Sequence, residues 1–156
     1  MCLQSPTTTP FDHEMVKYLE EVSGTKAADL YQEMLNASDS VTNKTDVELL
    51  YNDFKEFRIS GTRIAIAQVQ CKKDDYFAIK DHFHAFMEET AEAQHYDLVL
   101  TLFTDPMGSG SYFLAAGKKS SIVAEAFGDL LNKDHFGKGI VSRKKQVLPI
   151  IIDNLK

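Results

Sequence analysis

Residues 1–10, MCLQSPTTTP, are rich in Ser, Thr and Pro and show no periodic apolar face, which reads as a linker-like segment. Beyond it Met15, Val16, Leu19 and Val22 recur at the spacing of one helical face, led in by Pro10, Phe11 or Asp12 and stopped by Gly24. Thr25 is placed to cap a second helix with Ala28, Leu30, Tyr31, Met34 and Leu35 as its apolar set. A short third helix is expected from a Thr45 cap, with Asp46 and Glu48 in its first turn, where negative charge suits the helix dipole.

The period changes near Asp53. Phe54, Phe57 and Ile59 lead to a Ser60-Gly61 turn and then to Arg63–Gln70, a strand pair joined by a hairpin. Asp75–Gln94 is the longest helical stretch, with Phe77, Ile79, Phe83, Phe86, Met87 and Ala91 on its apolar face. Leu98–Phe103 is nearly continuous apolar sequence, as a central strand covered on both faces would be. A Gly108-Ser109-Gly110 turn, a strand over Tyr112–Ala116, a helix from Ser120 to Leu131, a Gly137–Gly139 loop, a short strand at Ile140–Val141 and a final helix complete the pattern. Strands and helices interleave while the hairpin supplies antiparallel pairing, so the expected class is α/β or α+β with a mixed sheet.

Composition narrows the function classes. The 156 residues suit one domain with an ordinary core. Cys2 and Cys71 cannot make a disulfide framework, and the start lacks the basic-then-apolar design of a signal peptide, so the expected compartment is the cytoplasm. No apolar run approaches the ~20 residues of a transmembrane helix. A net charge of −6 speaks against broad binding to nucleic acid or to an anionic membrane.

That charge is uneven. Residues 118–145 hold seven basic residues against three acidic ones, a local net of +4, leaving −10 on the rest. A cationic segment on an acidic body focuses the field where a small anion would sit. Lys118, Lys119 and Lys133 fit ordinary solvated turns, whereas the cluster at 143–145 is harder to dismiss.

Other candidate chemistry is weaker. His82 and His84 lie about 200° apart around a helix at 100° per residue, so they cannot share a metal. They, His13 and His95 read as single exposed or half-buried residues, and no Asp, His or Cys cluster has metal spacing. Lys72 and Lys73 beside Cys71 would lower a thiol pKa, but no His partner is placed by the sequence, and an incidental thiol is the better reading. Gly108-Ser109-Gly110 lies between two strands and lacks the ending of a phosphate loop, so it reads as a plain turn. Asp105 fits equally a functional strand end and an Asp-Pro turn starter.

Ser142-Arg143-Lys144-Lys145 is different. With Ser142 as the cap of the last helix, three cations fall in its first turn, next to the positive end of its dipole. For stability alone this is backwards, and a bound phosphate or diphosphate resolves the conflict by satisfying backbone N–H groups and side chains together. Arg offers a planar fork for phosphate oxygens and Lys a mobile point charge. Pro149 would strain a helix begun at Arg143, which points to a later start for the regular helix.

The string Ser142-Arg-Lys-Lys-Gln-Val-Leu-Pro149 resembles the C-terminal signature of the manganese-dependent (family II) inorganic pyrophosphatases, in their DHHA2 domain. Ser5-Pro-Thr7, Glu33-Met-Leu35, Asp53–Phe57, Ala67-Gln-Val69, Thr104-Asp105, Ala124–Phe127 and Gly139-Ile-Val141 match in the same order along nearly the whole chain. The resemblance implies a linker-like segment over 1–10 and a DHHA2 domain over 11–156. It also implies diphosphate as substrate, with polyphosphate for the related exopolyphosphatase branch.

In such enzymes a DHH domain holds Mn2+ through Asp and His, and the DHHA2 domain brings cations to the substrate. By position Arg143 and Lys144 would contact phosphate oxygens, and Lys145 more weakly. Where the family has Lys after its Met-Leu pair this chain has Asn36, so a contact from that position is not expected. Met1 falls within what resembles the interdomain linker, so no metal ligands and no catalytic residues are expected in these 156 residues. A DHH domain, in cis or in trans, is the implied partner. A stand-alone phosphate-binding module without a catalytic role is the alternative of a different class.

Overall fold

The computed structural model describes residues 3, 5–37, 40–107 and 109–156; Cys2 and Gly108 lie outside the described residues. Five strands form one sheet in the order β1-β2-β3-β4-β5: Phe54–Ile59, Thr62–Gln70, Leu98–Thr104, Gly110–Ala116 and Phe136–Lys138. β1 and β2 are an antiparallel hairpin turning through Ser60 and Gly61, with Phe57 opposite Ile64 and Lys55 opposite Ile66. β2 and β3 run parallel, Gln70 beside Thr104, while β4 and β5 return antiparallel. The sheet is therefore mixed, as the interleaved pattern implied.

The parallel pair needs a crossover, and α4 (Lys73–Ala93) supplies it. Alternation along the strands divides the core in two. Ala65, Ala67, Val69, Val99 and Phe103 meet Tyr76, Ile79, Phe83 and Met87 of α4 and Leu49 and Leu50 of α3 (Asp46–Tyr51). Ile64, Ile66, Leu98, Leu100 and Leu102 face the other way, against Ile122, Val123 and Phe127 of α5 (Ser121–Phe127) and Val147 and Ile151 near the C-terminus. Every residue of β3 is buried, which explains its nearly continuous apolar run.

Several local expectations change. α1 (Pro10–Ser23) begins inside the linker-like segment, because Thr9 and Asp12 close a capping box around Pro10. α2 (Ala27–Ala37) is capped not by Thr25 but by Glu20, whose carboxylate accepts from the Ala27 N–H at 2.8 Å and pairs with Lys26 at 3.2 Å. Thr45 caps α3 in a capping box with Glu48, as read from the sequence. α5 ends at Phe127 and tightens into a 3-10 turn over Gly128–Leu130.

The last strand is Phe136–Lys138, not Ile140–Val141. Gly139 at φ 73° turns the chain out of the ladder, and Ile140 and Val141 are buried as a loop whose carbonyls are claimed by side chains of the sheet. α1 and α2 bury no residue at all, so their apolar faces join neither core.

Candidate functional site

The carboxyl ends of the parallel pair β2–β3 and the C-terminal motif meet at one edge of the sheet. Gln68 donates through Nε2 to Thr104 Oγ1 at 2.9 Å and to the Val141 carbonyl at 3.0 Å. Thr104 and Ser111 hydroxyls lie 3.0 Å apart, and Ser111 donates to the Ile140 carbonyl at 2.7 Å. Three polar side chains that would otherwise be costly to bury thus tie the loop before Ser142 to the sheet. Gln146 closes it from the other side: its Oε1 accepts from the N–H groups of Val141 and Ser142, both at 2.9 Å, and its Nε2 donates to the Gly139 carbonyl at 2.9 Å.

The motif itself is not the start of a regular α-helix. Arg143–Val147 make a single π-helical turn, and α6 (Leu148–Asn154) follows. The Ser142 carbonyl accepts from both Gln146 and Val147, at 3.0 and 3.2 Å, and Ser142 Oγ accepts from the Lys145 N–H at 3.2 Å. Ser142 therefore caps as expected, but the turn it caps is wide. Widening delays α6 so that Pro149 falls in its first turn, where a missing N–H costs nothing. π-turns of this kind are frequent at functional sites.

The three cations separate. Arg143 points inward, its side chain 13 % exposed. Its Nη1 donates to the Asp53 carbonyl at 2.6 Å and the Ile66 carbonyl at 3.1 Å, and its Nη2 to Asp53 Oδ1 at 2.8 Å. Lys144 and Lys145 are exposed, and among the described residues neither ammonium has an ion-pair partner. The sequence reading missed Asp53 as a partner of Arg143, although the match at Asp53–Phe57 carried that residue. It also missed Lys55, exposed on β1 directly opposite Ile66 and so on the same face of the sheet as α6.

Asp53 also lines a cavity of about 490 Å³ with Lys44, Glu48, Asn52, Gln68 and Gln70. A second cavity of about 280 Å³ shares Val41 and Gln70 with it and is lined by Asn36, Ser40, Lys72 and Asp75. Asn36 and Asp53, the partner of Arg143, therefore border adjoining hollows at the carboxyl ends of β2 and β3, where open sheets commonly hold ligands.

The remaining candidates fall elsewhere. His82 pairs with Asp46 at 3.3 Å, while His84 bonds the Ala115 carbonyl at 2.9 Å and lies 3.7 Å from Glu88, so the two diverge as their spacing required. Asp105 accepts from the Met107 and Ser109 N–H groups, both at 3.2 Å, and from the Ser109 hydroxyl, which is the turn role. Cys71 is buried and donates to the Lys72 carbonyl; burial first, then Asp75, push its thiol up to about 12 rather than down. Among the described residues no three His, Cys, Asp or Glu side chains converge to hold a metal ion, so these residues do not fit a manganese site. Nor is any helix among them long and apolar enough to cross a membrane.

A mixed five-stranded sheet between two helical layers, with a cationic π-turn at its edge, defines an α/β domain. The chain belongs to the DHHA2 family: the model of the DHHA2 domain matches residues 32–154. It is similar to the manganese-dependent inorganic pyrophosphatase of Bacillus subtilis, 34% identical over 155 residues, covering 98% of this chain and 50% of that protein. The cobalt-dependent inorganic pyrophosphatase of Clostridium perfringens is 34% identical over 151 residues, covering 96% of this chain and 28% of that protein. A crystal structure described as a family II inorganic pyrophosphatase of Methanococcus jannaschii superposes with a TM-score of 0.78 at 32% identity, covering 97% of this chain and 50% of that one. The chain spans half or less of the length of these relatives and corresponds to their C-terminal part.

Proposed function

We propose that this chain is the substrate-binding C-terminal domain of a family II inorganic pyrophosphatase, and that Arg143 and Lys144, with Lys145 more weakly, grip the phosphate oxygens of diphosphate. The observation that carries this reading is the π-turn. It is pinned by Gln68, Gln146 and Ser142, yet it presents Lys144 and Lys145 to solvent without a counter-charge among the described residues. Lys55 adds a fourth cation on the same side of the sheet. Unpaired cations on a fixed turn are suited to a multiply charged anion, since little ordering remains to be done on binding.

Hydrolysis of diphosphate to two phosphates requires an activated water and neutralisation of charge on the transferred group, which metal ions supply in such enzymes. These residues do not assemble a metal site, so on this reading the metal belongs to a DHH domain and the present chain contributes binding and orientation. Diphosphate, phosphate and polyphosphate titrated calorimetrically into the chain at low salt test the reading. Diphosphate binding that weakens about tenfold in Lys144→Ala supports it, where tenfold corresponds to about 1.4 kcal/mol. Equal binding by the variant, or steady hydrolysis by the purified chain in Mn2+ that Arg143→Ala leaves untouched, overturns it. Stronger binding of polyphosphate than of diphosphate would move the assignment to an exopolyphosphatase-like enzyme.

A further inference from the structure

A cavity of about 390 Å³ opens between α4 and the turn at residues 132–135 that leads into β5. Its covered part is apolar. Tyr76 is 3% exposed and stacks on Tyr112 with ring centroids 4.3 Å apart, and Leu114 of β4 is half-buried. Phe77, 38% exposed, packs edge-on against both tyrosines and leaves part of its ring open. Adjacent residues of α4 thus serve different hollows, since Asp75 lines the one beside Asn36 and Tyr76 lines this one.

One polar group in this apolar lining has no use within the chain. The Tyr76 hydroxyl has no hydrogen-bond partner among the described residues, although the residue is almost wholly covered. No fully enclosed side-chain oxygen or nitrogen among the described residues lacks a partner, so this hydroxyl meets open space, and Tyr76 borders the cavity. Burial, then Tyr112, push its phenol up to about 12, so it stays a donor through the neutral range. A covered donor without a partner is unfavourable until something supplies the acceptor.

The rim is polar and held in place. Asn132 Oδ1 accepts from the Asp134 and Phe136 N–H groups at 2.8 and 3.0 Å, and the His135 carbonyl accepts from the Phe113 N–H at 2.9 Å, which ties the turn to β4. Lys133, Asp134 and His135 reach the cavity from this turn, all exposed and none with a side-chain partner among the described residues. On the α4 side Lys80 is neutralised by Asp81 at 2.6 Å, and His84 commits Nε2 to the Ala115 carbonyl at 2.9 Å. Lys133 and two imidazoles therefore stand against one free carboxylate, that of Asp134. Such a lining suits a flat apolar ring with an acceptor for Tyr76, hydroxyl donors for Asp134 and a compact anion for Lys133. A nucleoside monophosphate has all four, and the volume lies in the ~300–1,000 Å³ range of small-molecule sites.

We propose that this cavity is a nucleotide site, separate from the cationic turn, in which Tyr76 and Phe77 receive the base, Lys133 and His135 the phosphate, and Asp134 the ribose hydroxyls.

The test titrates the full chain with adenosine monophosphate, adenosine and inorganic phosphate, followed by calorimetry and amide NMR spectra. Saturable binding of the monophosphate is expected, with shifts concentrated at Tyr76, Phe77, Leu114 and residues 132–135. Adenosine is expected to bind about tenfold more weakly, and inorganic phosphate to leave those resonances unmoved. Tyr76→Phe deletes only the hydroxyl and is expected to weaken the monophosphate about fivefold or more. It should leave the melting temperature of the free chain unchanged, because that hydroxyl bonds to nothing there. Lys133→Ala is expected to weaken the monophosphate about tenfold and adenosine not at all. Lys144→Ala, in the cationic turn, is expected to leave monophosphate binding as it is. Absence of monophosphate binding overturns the proposal, as does full affinity in Tyr76→Phe or a fall in its melting temperature, which would give the hydroxyl an internal role. Adenosine binding as tightly as the monophosphate also overturns it, and so does monophosphate binding that Lys144→Ala abolishes, since the nucleotide would then sit on the cationic turn.

Discussion

The Arg143 guanidinium embraces Asp53 twice, through the backbone carbonyl at 2.6 Å and the carboxylate at 2.8 Å. These residues lie 90 positions apart, and their contact ties the C-terminal motif to the turn that opens β1. A third bond to the Ile66 carbonyl places the same side chain over β2. Arg143 is thereby a structural tie as well as a candidate ligand for phosphate.

The motif's cations should separate in their effect on stability. Arg143→Ala removes three charge-assisted hydrogen bonds from a largely covered side chain and is expected to lower stability by about 1.5–3 kcal/mol. Lys144→Ala touches an exposed, unpaired side chain and should stay within about 0.5 kcal/mol. Urea titration of both variants measures this, and equal losses would contradict the separation.

Thr104 holds the loop in place through a buried hydroxyl. Thr104→Val keeps the shape but leaves the Gln68 amide and the Ser111 hydroxyl short of a partner, at an expected cost of about 1–3 kcal/mol. Because the same bonds fix Val141 next to the motif, diphosphate affinity should fall together with the melting temperature, read by calorimetry in the presence and absence of ligand. A variant with full stability and full affinity would remove Thr104 from the support of the site.

Exposed cations act through a screened field. The Debye length shrinks from ~10 Å at 0.1 M to ~3 Å at 1 M ionic strength. Diphosphate binding through Lys144, Lys145 and Lys55 is therefore expected to weaken by about tenfold or more over that range. A salt-independent affinity would place the anion elsewhere.

Cys71 should be chemically quiet. Its folded pKa, raised to about 12 by burial and then by Asp75, lies far above the ~8.5 of an unfolded thiol. Between those values the unfolded chain has already released the proton that the folded chain keeps, so this group's contribution to stability declines as pH rises through that window. Alkylation by iodoacetamide in a Cys2→Ser background is expected to stay slow at pH 7 and pH 9 and to accelerate about a hundredfold or more in urea. Rapid labelling of the folded chain would show the thiol to be accessible and ionised.

The order of helices and strands was legible in the chain because each depends on neighbours a few positions apart. The nearly all-apolar Leu98–Phe103 became the central buried strand, Thr45 capped α3, and Ser142 capped the turn that follows it. The basic motif was equally legible, since three adjacent cations after a cap conflict with the local helix dipole. Long-range facts were not. That Arg143 turns inward to Asp53 while Lys144 turns outward depends on a π-turn, on Gln68 and Gln146, and on a hairpin far away in sequence. The strand expected at Ile140–Val141 shifted to Phe136–Lys138 because Gly139 leaves the ladder and the sheet's own hydroxyl and amide side chains capture the loop's carbonyls. The apolar stripe on α1 predicted a helix correctly, but periodicity only says that a face wants cover. Which surface provides it is decided by packing, and in this chain neither core does.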